Sequence, residues 1–199
     1  MSLGFVESVD GIRQSILTAN AKGILVFAAA SNDRAYTSEY PITFPASMPW
    51  GVFCINSHCS KYKWSGFNPP HFDDRDNFCT IGEDLHGPDP LPTSSSGRAI
   101  IKARTFKGTS YSTPIAVGLA ALILEYSRSC RPLREWRPIK DGTCEPLKTF
   151  EIMRAVFKKM CYKYVKNGPN PILPWILLEQ RNDCEPWEKI KEAIRNEGI

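Results

Sequence analysis

An uninterrupted apolar run at residues 24–30 is the feature that most constrains how this chain can fold. The run has the length of a β-strand, and because it does not alternate with polar residues, both of its faces must be covered. Strands of that kind are typical of parallel sheets, which need helical crossovers between strands. Just before the run, Val9, Ile12, Ile16 and Ala19 recur at the spacing of one helix face.

The sequence around that helix completes a strand–helix–strand unit. Ser8 or Asp10 is expected to cap the start of the helix, and Gly23 is expected to close it. The short apolar stretch at residues 1–5 is the first strand, and we expect a right-handed crossover to the strand at residues 24–30.

The rest of the sequence also predicts an α/β fold. Residues 57–77 and 87–97 are Pro-rich and polar, so they are expected to be loops, and residues 129–148 are expected to be irregular. The fold class predicted is α/β: a parallel sheet flanked by helices, with a mainly helical or irregular C-terminal tail. Further strands are expected at residues 52–56 and 78–81, and helices at residues 110–126, 150–164 and 187–194.

Composition and charge exclude several classes of function. The chain is 42% hydrophobic and 23% charged, a globular balance, and its longest apolar run is far shorter than the ~20 residues of a membrane span. The net charge is +4, and the whole excess lies in residues 131–199, where fourteen basic and ten acidic residues are interspersed. This predicts a solvated surface, with neither a membrane nor a nucleic acid as partner.

The seven cysteines favour a reducing compartment. The number is odd and no C-x-x-C occurs, and Cys54 and Cys161 lie in apolar patterns typical of buried free thiols. A zinc site is not expected. The sequence leaves open whether a disulfide forms among Cys130, Cys144 and Cys184. With no signal peptide at the N-terminus, the expected location is the cytoplasm.

The string Gly108-Thr-Ser-Tyr-Ser-Thr-Pro114 carries the most specific chemical signal, and an apolar, small-residue helix follows it. A serine at a helix N-terminus has a free backbone N–H that can face a developing oxyanion, at the positive end of the helix dipole. The string resembles the nucleophile motif of the subtilisin-like serine peptidases, so Ser110 is the implied nucleophile. It is not the G-x-S-x-G elbow of α/β-hydrolases, because residue 112 is serine.

Two more blocks resemble the same family, and the resemblance covers residues 1–127. The stretch ending at Asn32 is similar to the strand that ends in the family's oxyanion-hole asparagine, although Ser31 replaces the more common glycine. The resemblance implies a substrate-binding wall, along which a polypeptide substrate would bind in extended form. The combination looks most like the intracellular subtilases of fungi. The implied wall residues are Ser2, Leu3, Gly4, Ala29, Ala30 and Ser31.

The family's catalytic Asp and His precede the block at residues 2–4, and no residues here correspond to them. The histidines present, His58, His71 and His86, lack the family's H-G-T-x-V-A-G surroundings. A serine without a general base is a weak nucleophile. We therefore expect residues 1–127 to be the later part of a peptidase domain, truncated at its N-terminus, and residues 128–199 to be an extension. We also expect an apolar patch to be left exposed.

Two functions follow from these observations. One is a serine endopeptidase segment that lacks its Asp and His; the other is a non-catalytic protein, either a pseudo-peptidase that binds extended peptides or a gene-model remnant. No cofactor is expected. An acidic cluster could bind calcium, which the family often carries, but its spacing matches no calcium loop and favours a solvated loop. The cluster comprises Asp73, Asp74, Asp76, Glu83 and Asp84.

Overall fold

The computed structural model describes residues 1–33, 41–90, 101–129, 146–166, 168–179 and 185–196. Their strands are β1 (Val26–Ala29), β2 (Val52–His58), β3 (Phe78–Ile81), β4 (Leu85–Pro90), β5 (Ile101–Phe106) and β6 (Asn170–Pro171). Their α-helices are α1 (Asp10–Ala21), α2 (Thr109–Ser129), α3 (Phe150–Lys159), α4 (Pro174–Leu178) and α5 (Glu185–Asn196), and Pro146–Lys148 forms a 3₁₀ turn.

A four-stranded sheet in the order β1-β2-β3-β6 forms the centre, and every neighbouring pair is parallel. Val26 lies opposite Val52, Asn56 opposite Cys79 and Phe78 opposite Asn170. The continuous apolar run of β1 is therefore explained by a sheet covered on both faces. The prediction of an α/β fold with a parallel sheet and flanking helices is confirmed.

The helix that precedes β1 is capped differently from the prediction. Val9 occupies the N-cap position, and no side chain bonds to the free N–H groups there. The hydroxyl of Ser8 instead accepts a hydrogen bond of 2.7 Å from Arg13, which removes it from a capping role. The C-terminal end agrees with the prediction, since Gly23 has a φ of 69° and its N–H donates to Asn20 O at 2.9 Å.

The predicted first strand is reduced to a single pairing residue. Met1 donates to Phe27 O and accepts from Ala29 N, which is the parallel pattern. The chain then leaves β1, because Phe5 exchanges two backbone hydrogen bonds of 2.8 Å with Phe44. The prediction of a full strand over residues 1–5 is wrong for that reason.

A cluster of aromatic rings joins one face of the sheet to α3. The Phe157 ring lies 6.1 Å from Phe27, 5.4 Å from Phe53 and 5.7 Å from Phe78, measured between centroids. Phe27 and Phe53 stack on each other at 4.7 Å. All four side chains are buried in one core with residues of α2 and α5, so helices from the tail and from the motif region cover the same sheet face.

Two predicted boundaries after β3 are wrong. Residues 87–90 belong to β4, which pairs antiparallel with β5, whereas residues 91–97 lie outside the described residues. Prolines are tolerated there because a two-stranded ribbon has open edges, where a missing N–H leaves no gap in a sheet. Helix α3 ends at Lys159 rather than at residue 164, because the Met160 carbonyl accepts from Leu173 N as the chain turns back to form β6.

Helix α2 is buried on one face only. Ala116, Ala120 and Ile123 are in the core, whereas Val117 is 42% exposed and Leu122 is 49% exposed. Apolar side chains of α2 are therefore exposed, whereas the strand β1, which was expected to share an exposed apolar patch with this helix, is buried. None of the helices in the described part of the chain has the length and apolarity needed to cross a membrane.

The carboxylate of Asp76 links the loop before β3 to the tail. Arg154 makes a two-point ion pair with it, Lys158 Nζ lies 3.6 Å from it, and the Tyr164 hydroxyl donates to it at 2.6 Å. Burial alone would raise the pKa of this carboxyl, but the bonds from Arg154 and Tyr164 outweigh burial and lower the pKa. The prediction that the acidic cluster is a solvated loop is wrong for this residue.

Replacing this carboxylate should destabilise the fold. Asp76→Asn leaves Arg154 and Lys158 facing a neutral group, and we expect the free energy of unfolding to fall by about 1.5–3 kcal/mol. Urea unfolding measures the change. Asp73→Asn, on an exposed residue of the same loop, is the matched control and should stay within about 0.5 kcal/mol. Equal losses in both variants would contradict the assignment.

The Asp76 carboxylate should make the free energy of unfolding depend on pH in the acid range. Its pKa is lower in the folded state than in the unfolded chain, so its contribution is complete above the unfolded value of about 4 and is lost as the pH falls through the folded value. Unfolding free energies of wild type and Asp76→Asn should therefore converge as the pH drops from about 5 to 2. A constant gap across that range would count against this linkage.

Candidate active site

A cleft of about 350 Å³ opens beyond the carboxyl end of β1. The N-terminal segment, the turn that follows β1 and the start of α2 all border it. Because these three elements come from distant parts of the sequence, the parallel sheet is what brings them together. The lining residues are Ser2, Leu3, Gly4, Val6, Ala29, Ser31, Asn32, Asp33, Thr43, Thr109 and Ser110.

Helix α2 begins at the cleft after a glycine that adopts an unusual conformation. Gly108 has a φ of +145°, which a residue with a side chain rarely adopts. Its N–H donates to Gly82 O at 2.8 Å, and its carbonyl accepts from Tyr111 N at 3.0 Å. These two bonds orient the first turn of the helix.

Ser110 is the second residue of α2 and is half-buried at the cleft. Among the described residues, no group accepts a hydrogen bond from its backbone N–H, and none bonds to its hydroxyl. An unpaired N–H in the first turn of a helix is a ready anion site, because the helix dipole adds positive potential there. The structure thus leaves both the hydroxyl and the N–H of Ser110 available.

Asn32 lies across from the helix start and has its amide oriented by it. The Asn32 Oδ1 atom accepts from Thr109 N at 2.7 Å and from Thr109 Oγ1 at 3.1 Å. With the oxygen so engaged, the Nδ2 group is the remaining donor, and it has no acceptor in the described part of the chain. Ser31 supports the same contact, since its carbonyl accepts from Thr109 Oγ1 at 3.3 Å.

A pair of reciprocal hydrogen bonds holds the first turn of α2 on β3. Thr80 Oγ1 donates to Ser112 O at 2.7 Å, and Ser112 Oγ donates to Thr80 O at 3.3 Å. Gly82 is required beside them, since a Cβ there would collide with Ser112 Oγ and Ser57 Oγ. This attachment was not predicted from the sequence; the signals for it were a polar residue inside an apolar strand and a glycine directly after that strand.

The predicted substrate wall is partly assembled at the cleft. Ser2 donates from Oγ to Ser110 O at 3.4 Å, and Gly4 lies so close to Thr43 that a Cβ on the glycine would collide with Thr43 Oγ1. Leu3, Ala29 and Ser31 also line the cleft, whereas Ala30 is fully buried behind it. Thr43 and Asp33 line the cleft as well, and neither was predicted from the sequence.

All three histidines are described, and each contacts a residue other than Ser110. His58 is 4% exposed, burial lowers its pKa, and its Nδ1 lies 2.8 Å from Cys59 O. His71 packs edge-on against Trp64, and His86 contacts Thr105 on the ribbon of β4 and β5. No described histidine or carboxylate bonds to the Ser110 hydroxyl.

No three His, Cys, Asp or Glu side chains in the described ranges come close enough together to hold a metal ion. Members of the acidic cluster have protein partners instead. Asp74 lies 3.6 Å from Arg75, and Asp84 accepts from the Ser60 hydroxyl at 3.2 Å.

Comparison with known proteins matches the chain to one family. The model of the subtilase family matches residues 1–156. An intracellular serine protease of Paenibacillus polymyxa is 30% identical over 134 residues, which are 65% of this chain and 36% of that protein. A solved structure of a prenylagaramide maturation protease superposes with a TM-score of 0.58 at 18% identity, over 94% of this chain and 58% of that chain.

The chain therefore spans little more than a third of the first of these relatives and less than two thirds of the second. The likeness to the solved structure concerns the fold alone. The family match covers most of the chain, including the cleft and the first turn of α2, and on that basis the chain belongs to the subtilase family.

Proposed function

We propose that this chain carries the nucleophile and the oxyanion hole of a serine endopeptidase. The observation that carries the proposal is the placement of Ser110, with its free hydroxyl and N–H, at the same cleft as the unengaged Nδ2 group of Asn32. In this role the Ser110 Oγ attacks the scissile carbonyl, and the carbonyl oxygen takes up negative charge between the two N–H donors.

The electrostatics of the cleft suit that charge. The Ser110 N–H contributes the positive end of α2, and Asn32 is preorganised because Thr109 holds its oxygen side. In a subtilisin, removing the corresponding asparagine donor costs about 10²–10³ in turnover. The donors are protein groups, so the proposed chemistry uses no cofactor.

The substrate is proposed to be a polypeptide in extended form. It would lie along Ser2, Leu3 and Gly4, with Ala29 and Ser31 forming the opposite wall and the buried Ala30 packed behind them. Pairing through the backbone gives affinity that does not depend on the side chain. We also propose residues 1–127 as the partial peptidase domain and residues 128–199 as an extension, although α3 of the extension packs on the sheet.

The general base and its orienting carboxylate are proposed to come from outside residues 1–199. The three histidines of the chain face other partners, and this observation also favours a second candidate function. In that alternative the chain is a pseudo-peptidase, which binds extended peptides at the same cleft without cleaving them.

A cytoplasmic location is proposed on two grounds. Cys54, Cys59, Cys79 and Cys161 are all free thiols, as expected in a reducing compartment, and the bacterial relative is described as intracellular. Burial raises the pKa of the Cys54 and Cys161 thiols to about 12, which keeps them unreactive. Cys130, Cys144 and Cys184 lie outside the described residues.

The 199-residue chain should be nearly inert toward a fluorophosphonate probe. Without a base Ser110 stays protonated, and in a subtilisin the loss of the histidine costs about 10⁶ in turnover. Mass spectrometry after labelling should find no more adduct on wild type than on Ser110→Ala. Rapid labelling of wild type that Ser110→Ala abolishes would overturn the prediction and show that a base is present.

The site itself can be tested without the base. In Ser110→Cys the new thiol lies in the first turn of α2, where the helix dipole favours a thiolate, so its pKa should lie at least about one unit below the ordinary 8.5. The pH dependence of iodoacetamide alkylation, read by peptide mapping, measures it. Ser15→Cys, at an exposed position of α1 beyond its first turn, is the control, and identical profiles would contradict an electropositive site at residue 110.

A further inference from the structure

We infer that a cavity between β2 and α3 binds a neutral aromatic heterocycle that carries a ring N–H, such as indole. The cavity has a volume of about 310 Å³, and none of its described lining residues also lines the cleft at Ser110. The inference therefore concerns a second site, goes beyond the proposed function and does not depend on it.

The buried end of the cavity holds a hydrogen-bond acceptor that lacks a donor. Asn56 borders the cavity from β2 and is only 2% exposed. Its Nδ2 group donates to Phe78 O at 3.3 Å, and this bond identifies Oδ1 as the acceptor atom of the amide. Oδ1 has no partner among the described residues. Because an unsatisfied buried acceptor is costly, a ligand that brings an N–H to it gains affinity.

Aromatic rings supply much of the cavity wall. Trp50, Phe53 and Phe150 line it, and the Phe150 ring lies 4.6 Å from Phe53 and 6.4 Å from Trp50, measured between centroids. Phe53 is buried, whereas Trp50 is 62% exposed, a large apolar surface left open beside a cavity. A planar aromatic ligand can contact these rings by stacking or edge-on, and it would cover Trp50.

The charged side chains at the cavity already have partners. Two acidic and two basic residues line it: Asp74 lies 3.6 Å from Arg75, and Asp76 accepts from Arg154 at 3.0 Å. The Arg75 guanidinium also donates to two backbone carbonyls of the loop before β2. An ionic ligand would therefore meet no unpaired counter-charge among the described lining residues, and a neutral ligand is favoured.

The size of the cavity limits the ligand to a small ring system. A volume of about 310 Å³ is at the small end of ligand pockets, which is appropriate for one bicyclic ring. Such a ring can arrive as a free heterocycle or as a tryptophan side chain of a peptide, and the two sources share the planar face and the N–H. The experiment therefore includes a probe of each kind.

Isothermal titration calorimetry of the full chain with indole and benzofuran tests the inference, because benzofuran has the same shape and lacks the N–H. We expect indole to bind with a dissociation constant of about 0.1–1 mM, as for a ligand of about ten non-hydrogen atoms. Benzofuran should bind about fivefold more weakly, because it leaves the buried acceptor unsatisfied. N-acetyltryptophanamide distinguishes the sources: tighter binding than indole assigns a peptide side chain, and weaker binding assigns a free heterocycle.

Three variants assign the effect to its residues. Asn56→Leu keeps a similar side-chain volume without the amide, and it should bind indole and benzofuran within about twofold of each other. Trp50→Ala should weaken both ligands about fivefold and keep their ratio, because the tryptophan contributes ring contact alone. Trp175→Ala removes another exposed tryptophan, which lies outside the cavity, and should change neither affinity.

Each outcome supports or overturns the inference. No binding of indole, or equal binding of indole and benzofuran by wild type, overturns it, and so does a preference that persists in Asn56→Leu. If thermal melts show that Asn56→Leu does not fold, the wild-type ratio and Trp50→Ala decide, and unchanged binding in Trp50→Ala overturns the inference. These outcomes leave the proposed function standing, since no variant alters a residue that lines the cleft.

Discussion

The attachment of the start of α2 to the ends of β1 and β3 is the constraint on which the site depends. Thr109 N–H donates to the Asn32 side chain, Gly108 donates to Gly82, and Thr80 and Ser112 exchange two hydrogen bonds. These bonds satisfy the N–H groups of Gly108 and Thr109 at the start of the helix. They leave the N–H of Ser110 unpaired. The same bonds orient Asn32, so one set of contacts positions both of the proposed oxyanion donors.

That attachment requires a rigid sheet, and residues far along the chain help to supply it. Phe157 of α3 packs against phenylalanines of β1, β2 and β3, and Arg154 on the same helix pairs with Asp76 just before β3. A fully buried phenylalanine contributes several kcal/mol to a fold of this size, about 3–5 kcal/mol by truncation to alanine. The segment after residue 127 thus contributes to the scaffold of the cleft, whatever further role it has.

Much of this organisation could be predicted because it is local. The apolar run of β1, the spacing of α1 and the small residues of α2 each encode an element through side-chain pattern alone. The misses depended on distant partners. Pro88 and Pro90 indicate a loop, yet both pair with β5 in a ribbon; α3 stops early because the Met160 carbonyl bonds to Leu173; and the chain leaves β1 at Phe5, which pairs with Phe44. Thr43 and Asp33 join the cleft only through folding.

By itself the sequence determined the class of fold, the family, and the identity of Ser110 and Asn32 as the pair of interest, since these are written in short motifs and periodic patterns. Only the tertiary structure decided how that pair is arranged. It set the Asn32 amide with its oxygen on Thr109, turned the three histidines to other partners, and left Asp33 as the charge of the described cleft. The Asn32 contact and the lining of the cleft bring together residues far apart in the chain, and a linear pattern does not carry such contacts.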